Sequence, residues 1–244
     1  MLDPDPAARV SQSHAGSPPS VAPGQLGTGP HTLQILSTEH WSLLAARSMG
    51  YTEAMSRASI FVAALSGAIV ALALVAQATD FGRGFVAFAL VLLPVVFFLG
   101  VVTIVRIAQI NWEDALWVQG MNRIRNAYLD IAPELEPYFV TSKHDDDRGL
   151  LVSIGMPHVV PQYQVFVALP GVVAVLDAVV AGATVGIAGL GLDIGNGTSI
   201  VIGAAAFVLV LAAFGIWGVR SVVHYRRGLV VRFPTPADGT ADSA

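Results

Sequence analysis

Apolar positions in this chain are not spread at the spacing of a water-soluble core. They gather into four long runs, Ala58 to Ala78, Phe85 to Val105, Val165 to Gly189 and Ile200 to Val219. A run of about twenty residues makes about 30 Å of helix, the thickness of a hydrocarbon core. The pattern therefore predicts an all-α integral membrane protein with four transmembrane helices. Only Thr79 to Gly84 separate the first two runs, and a Gly-rich turn containing Asp193, Gly195, Asn196 and Gly197 separates the last two. Such short polar breaks predict two hairpins, over 58–105 and 165–222.

The polar segments around the hairpins differ among themselves. Residues 1–36 are rich in Pro, Ser, Gly and Ala, too poor in large apolar groups to offset ordering entropy, and predict a disordered tail. A juxtamembrane helix is expected over 37–57, opened by the capping types Ser37 and Thr38, stopped at Gly50 and recapped by Thr52. Between the hairpins lies a segment over 106–164, expected to begin as a continuation of the second span. Within it Ile110, Trp117, Ile124 and Ile131 recur every seven residues, with Met121 and Tyr128 on the same face. This seam is a candidate packing or docking face, and Pro133 and Pro137 end it. An unbroken helix from Phe85 to Ile131 would be about 70 Å long and project about 40 Å beyond the bilayer core. The two halves share no pattern that would mark an internal repeat, and residues 223–244 form a C-terminal tail.

Charge fixes the expected orientation. Twelve of the thirteen basic residues fall before the first run, between the second and third, or after the fourth, leaving only Arg83 elsewhere. Basic residues near span ends are retained on the cytoplasmic side, so both termini and 106–164 are expected on the cytoplasmic side of the membrane that holds the spans. The first thirty residues lack the layout of a signal peptide, so the first span is expected to stay as an anchor. Charged residues make up 12% of the chain, against about 25% in soluble domains. The net charge of -4 offers no basic field for a nucleic-acid backbone. There is no cysteine, which excludes disulfides, thiolate metal sites and cysteine nucleophiles.

Asp177 is the one ionisable residue well inside an expected span, and such groups usually face the bundle interior or mark an ion or proton path. Other spans offer no matching charged partner, which favours a structural carboxyl, neutral or paired with Arg106 or Arg220 reaching in from the interface. Small residues recur every fourth position at Ala174, Ala178, Gly182 and Gly186, and at Ser59, Ala63, Gly67 and Ala71. These stripes let helices approach closely, and packing within one chain is favoured over a contact between copies. Pro94 is expected to kink the second span. The run His144, Asp145, Asp146, Asp147 lacks calcium-loop spacing and reads as a solvated acidic turn, with His158 a lone candidate ligand. Trp112, Trp117, Arg123, Arg125 and Tyr128 combine aromatic and basic groups that suit a nucleotide, although interfacial and seam packing explains them better. No phosphate-binding loop, nucleophile elbow or zinc-protease helix occurs. The expectation is a non-enzymatic protein without cofactor or metal, its partners being the lipid bilayer and either a second copy or a cytoplasmic protein.

The stretches SMGYTEAMSRASIF, WVQGMNRIRNAYLDIAPELEPYF and PGVVAVLDAVVAG resemble uncharacterised four-span integral membrane proteins of actinobacteria, over residues 37 to 225. That family carries no established activity, so the resemblance implies an architecture and transfers no site residue. In architecture alone the chain is also similar to membrane effectors of nucleotide-signalled phage defence. The ranking that results is an interaction or signalling module first, then a small transporter or channel subunit using Asp177, then a nucleotide-gated effector.

Overall fold

Pro30 opens the first helix at a position where its missing N–H costs nothing, and the helix, α1, runs unbroken over Pro30–Thr79. The computed structural model describes residues 29–156 and 168–236. The expected tail is thus helical from Pro30, while residues 1–28 lie outside the described residues. The stop expected at Gly50 is absent, and the cause is tertiary. Gly50 is buried against α2, Arg83–Ile131, where an added Cβ would come within 2.8 Å of the Trp117 ring. The glycine brings two helices together; it does not end one.

Asp80 and Phe81 take left-handed backbone angles, φ 46° and 57°, and so reverse the chain between α1 and α2 within three residues. Contacts then recede from that turn along both helices: Gly84 meets Thr79, Arg106 meets Glu53, Asp114 meets Arg47, Gly120 meets Leu43, and Tyr128 lies beside His40. Helix α2 is assigned as one helix through Pro94, so the proline does not divide it. It ends at Ile131, and a 3-10 turn over Pro133–Tyr138 follows, as prolines that cannot donate to a helix require.

A short helix α3, Asp147–Ser153, precedes the long helices α4, Leu169–Gly191, and α5, Asn196–Arg227. The first four residues expected in the third span, 165–168, lie at or beyond the edge of the described residues, and α4 starts at Leu169 with Pro170 in its first turn. Of the described residues 85% are helical and none is in a strand. Helix α1 packs on α2, α2 on α4 and α4 on α5, so the four long helices stand in a row. Phe61, Ala89, Leu93, Val96, Ile104 and Val173 form the core shared by the first three.

At Gly182 and Gly203 helices α4 and α5 nearly touch, and a Cβ on either would lie 2.8 Å from the other's carbonyl oxygen. Ala174, Ala178 and Gly182 are accordingly buried. The stripe on α1 behaves differently. Ala63 and Gly67 are exposed and Ala71 is only half-buried, because α1 turns Ala54, Ala58, Phe61 and Ala68 towards α2 instead. Its expected packing within the chain is therefore corrected.

Helices α1, α2, α4 and α5 are long and apolar enough to cross a membrane. At 50 and 49 residues, α1 and α2 are each about 75 Å long, so more than half of each lies outside any hydrocarbon layer about 30 Å thick. Those outer halves carry the remaining polar structure.

Candidate functional site

Where α2 leaves its apolar run, a row of ion pairs binds it to α1. Arg106 donates from Nε and Nη2 to Glu53, both at 2.9 Å, and from Nη1 to Glu113 at 3.0 Å. Arg47 Nε donates to Asp114 at 2.7 Å, and Arg57 Nε to Glu53 at 2.8 Å. The hydrogen bonds from Arg106, helped by those from Arg57, hold the Glu53 carboxyl down at about 2. Arginine's planar fork meets a carboxylate with two donors at once, which fixes the rotation of α2 about α1.

Further out, the seam residues divide. Ile110, Met121 and Ile124 are buried, while Trp117, Tyr128 and Ile131 are half-buried. Burial extends well past this seam, to Val118, Gln119, Asn122 and Leu129. Periodicity missed this second face because it is polar. The signal available was Gln119, Asn122 and Arg123, three hydrogen-bonding groups at positions i, i+3 and i+4 beside an apolar stripe.

What covers that face is a lobe made from two distant segments. Asn122 Nδ2 donates to the His144 carbonyl at 2.7 Å, and its Oδ1 accepts from Ser153 Oγ and Arg125 Nη1. Gln119 Nε2 donates to the carbonyls of both Asp145 and Val230. Arg123 donates to the Val230 carbonyl from Nη2 and to the Asp145 carboxylate from Nε, the latter at 2.8 Å. Asp145 has no accessible surface, and its carboxylate also accepts the backbone N–H groups of Arg232 and Phe233. The Asp145 N–H in turn donates to the Phe233 carbonyl. One carboxylate thus joins α2, the segment before α3 and the C-terminal segment.

The neighbouring Asp146 is the N-cap of α3, accepting from the Gly149 N–H at 2.8 Å, and it also accepts from the N–H and Oγ1 of Thr235. Burial raises its pKa, but the Gly149 and Thr235 hydrogen bonds outweigh this and the net shift is downward. The acidic run is therefore not the solvated turn expected. Asp145 is a buried joint and Asp146 a cap; only Asp147 is exposed, 3.6 Å from Arg226. A polar acceptor can be buried at little cost when donors surround it, and composition does not show where donors from residue 230 onwards will fall. Among the described residues no group of three or more His, Asp or Glu is placed to hold a metal. His158 lies outside the described residues. A cleft of about 320 Å³ opens beside the joint, bordered by Glu136, Phe139, Lys143, Arg148 and Thr235.

The aromatic and basic cluster is spent on internal contacts. Trp112 stacks on Tyr225 of α5 at 4.8 Å, Arg123 is held by Asp145, and Arg125 by Asn122. Trp117 covers Gly50.

Asp177 is fully buried within α4, and among the described residues neither of its carboxylate oxygens has a hydrogen-bond partner. The pairing expected with Arg106 or Arg220 does not form, since Arg106 is engaged by Glu53 and Glu113 and Arg220 is exposed. Its niche is made by α2: a Cβ on Gly100 would lie 2.0 Å from Asp177 Oδ1. The buried hydroxyl of Thr103, one turn along α2, donates to the Leu99 carbonyl.

No family model matches the chain, and neither the curated proteins nor the solved structures yield a match. The resemblance described above rests on its sequence stretches alone.

Proposed function

We propose that this chain is a non-enzymatic protein of the bacterial cytoplasmic membrane. Two transmembrane hairpins carry a folded lobe on the cytoplasmic side, and the protein acts as an interaction or signalling module. The observation that supports this reading best is the Asp145 joint. It gathers α2, the segment around α3 and residues 230–235 into one lobe outside the apolar spans. The polar side chains of the outer halves are used to build that lobe and bind α1 to α2, a use suited to presenting a surface. The distribution of basic residues supports the cytoplasmic placement.

The chain's lack of cysteine makes the test direct. Val140 in the lobe is 93% exposed, and Thr198 lies exposed in the first turn of α5. With an impermeant maleimide applied to intact cells, Thr198→Cys should label and Val140→Cys should label only after lysis. The opposite pattern would reverse the orientation and remove the proposal's basis.

A second reading, a small transporter or channel subunit, is favoured by one feature, the unpartnered and fully buried Asp177 carboxyl. An ionised carboxylate at the centre of a lone helix is unfavourable by about 2.5 to 3.5 kcal/mol on insertion scales, and such groups often mark ion paths. Reconstituted vesicles decide between the readings. A proton or sodium flux in the wild type that Asp177→Asn abolishes would put the transporter first; the interaction module requires no flux from either.

A further inference from the structure

The side of α1 turned away from α2 carries no charge from Trp41 to Gln77. Every charged residue in that stretch faces inward or along α2: Arg47 is bound to Asp114, Glu53 to Arg106, and Arg57 to Glu53. Left outside are large apolar groups with high exposure, including Trp41 at 66% and Tyr51 at 69%, together with Leu44 and Met55. All four precede the apolar span that begins at Ala58. Lipid can cover the part of α1 within a bilayer, but Trp41 lies seventeen residues, about 25 Å, before that span, where the surroundings are aqueous. Trp41, Leu44, Tyr51 and Met55 also follow heptad spacing, the pattern of a helix seam that a second helix covers.

We infer that this face is covered by α1 of a second copy of the chain, the two helices running parallel about a twofold axis normal to the membrane. The inference deepens the interaction-module reading and rests on it. A twofold contact sets each residue near its own counterpart, so a charged face would repel itself; this neutral face does not. The occupant must also be uncharged at every height where α1 is, both outside the bilayer and within it, and a second copy is so by construction. Gly67 marks the inner half. Unlike Gly50, Gly100 or Gly182, which make room for neighbours in the chain, Gly67 has nothing among the described residues within 4 Å of where a Cβ would stand. Small residues there let backbones approach across the axis. A face from Trp41 to Gln77 is about 54 Å long and about 10 Å wide, so two copies bury roughly 1,100 Å² in total, close to the lower bound for a specific interface.

The test is cysteine cross-linking of the full chain in native membranes. Ser48→Cys, Thr52→Cys and Ser59→Cys, all on this face and exposed, should form disulfide-linked dimers on mild oxidation. Ala54→Cys, buried and turned towards α2, should not. Gly215→Cys reports on α5, whose outward glycine is equally open. Gly67→Leu fits the single chain without a clash and should leave expression and thermal unfolding unchanged while abolishing the Ser59→Cys cross-link. Dimers through Gly215→Cys alone, cross-links to a different protein alone, or no dimer at any α1 position would each overturn the inference. So would Ser59→Cys dimers that survive Gly67→Leu. The orientation test with Val140→Cys reads independently, so a correct orientation without α1 dimers sinks this inference and leaves the interaction module standing.

Discussion

Asp145 and Asp177 are equally closed to solvent, but Asp145 receives three N–H donors and Asp177 none. The consequences of substitution should differ accordingly. Asp145→Asn keeps the shape but turns an amide donor towards other donors and leaves Arg123 without its carboxylate. Breaking a buried pair in this way costs about 3 to 5 kcal/mol, and the low end applies because Arg123 stays about a third exposed. Thermal unfolding in detergent should show a loss of about 3 kcal/mol, whereas Asp147→Asn, at an exposed position, should stay within about 0.5 kcal/mol of wild type. For Asp177 the informative partner is Gly100. Gly100→Ala drives a methyl into the carboxyl and should destabilise by about 1 to 3 kcal/mol, as overpacking does. In an Asp177→Ala background the same change should be tolerated. A double-mutant cycle measures this, and strict additivity would show that the two residues do not share a niche.

At the scale of elements, the four apolar runs and the pairing of neighbours along the chain were legible, because lipid-length apolar runs and short breaks leave few alternatives. The continuity of α1 through Gly50 was not. Local chemistry there reads as a stop, and only the Trp117 ring on the opposite helix shows why a glycine is needed. The polar face of α2 was also illegible, since Gln119, Asn122 and Arg123 meet acceptors more than twenty residues away, and two of these residues meet them more than a hundred away. The seam itself is testable as packing: Ile124→Ala should cost about 2 to 4 kcal/mol, measured by thermal unfolding, since the side chain is only 6% exposed. The α1–α2 ion pairs should respond to acid. Glu53 sits at about 2 when folded against an ordinary 4.5, so its contribution is present above pH 4.5 and is lost as pH falls through about 2. Thermal stability of the Glu53→Gln variant should lack this part of the acid dependence.

For the whole molecule, the joint at Asp145 ties residues near position 120 to residues beyond 230, with α4 and α5 made in between. At about 5 to 20 residues per second of synthesis, the polar face of α2 waits roughly 5 to 20 s for the segment that covers it. During that interval Gln119 and Arg123 have only part of their final partners. Residues 230–235 close the lobe, so a chain that stops before them, or whose second pair of long helices fails to insert, keeps an open polar face beside exposed Val118 and Met121. Such a chain would be recognisable to a protease as unfinished. Pulse-labelled chains should therefore gain protease resistance in the lobe only once residues 230–235 have been made, and chains ending at Gly228 should never gain it. Residues 230–235, six of ordinary composition, thus serve as the molecule's own record that its last two long helices have been made and placed.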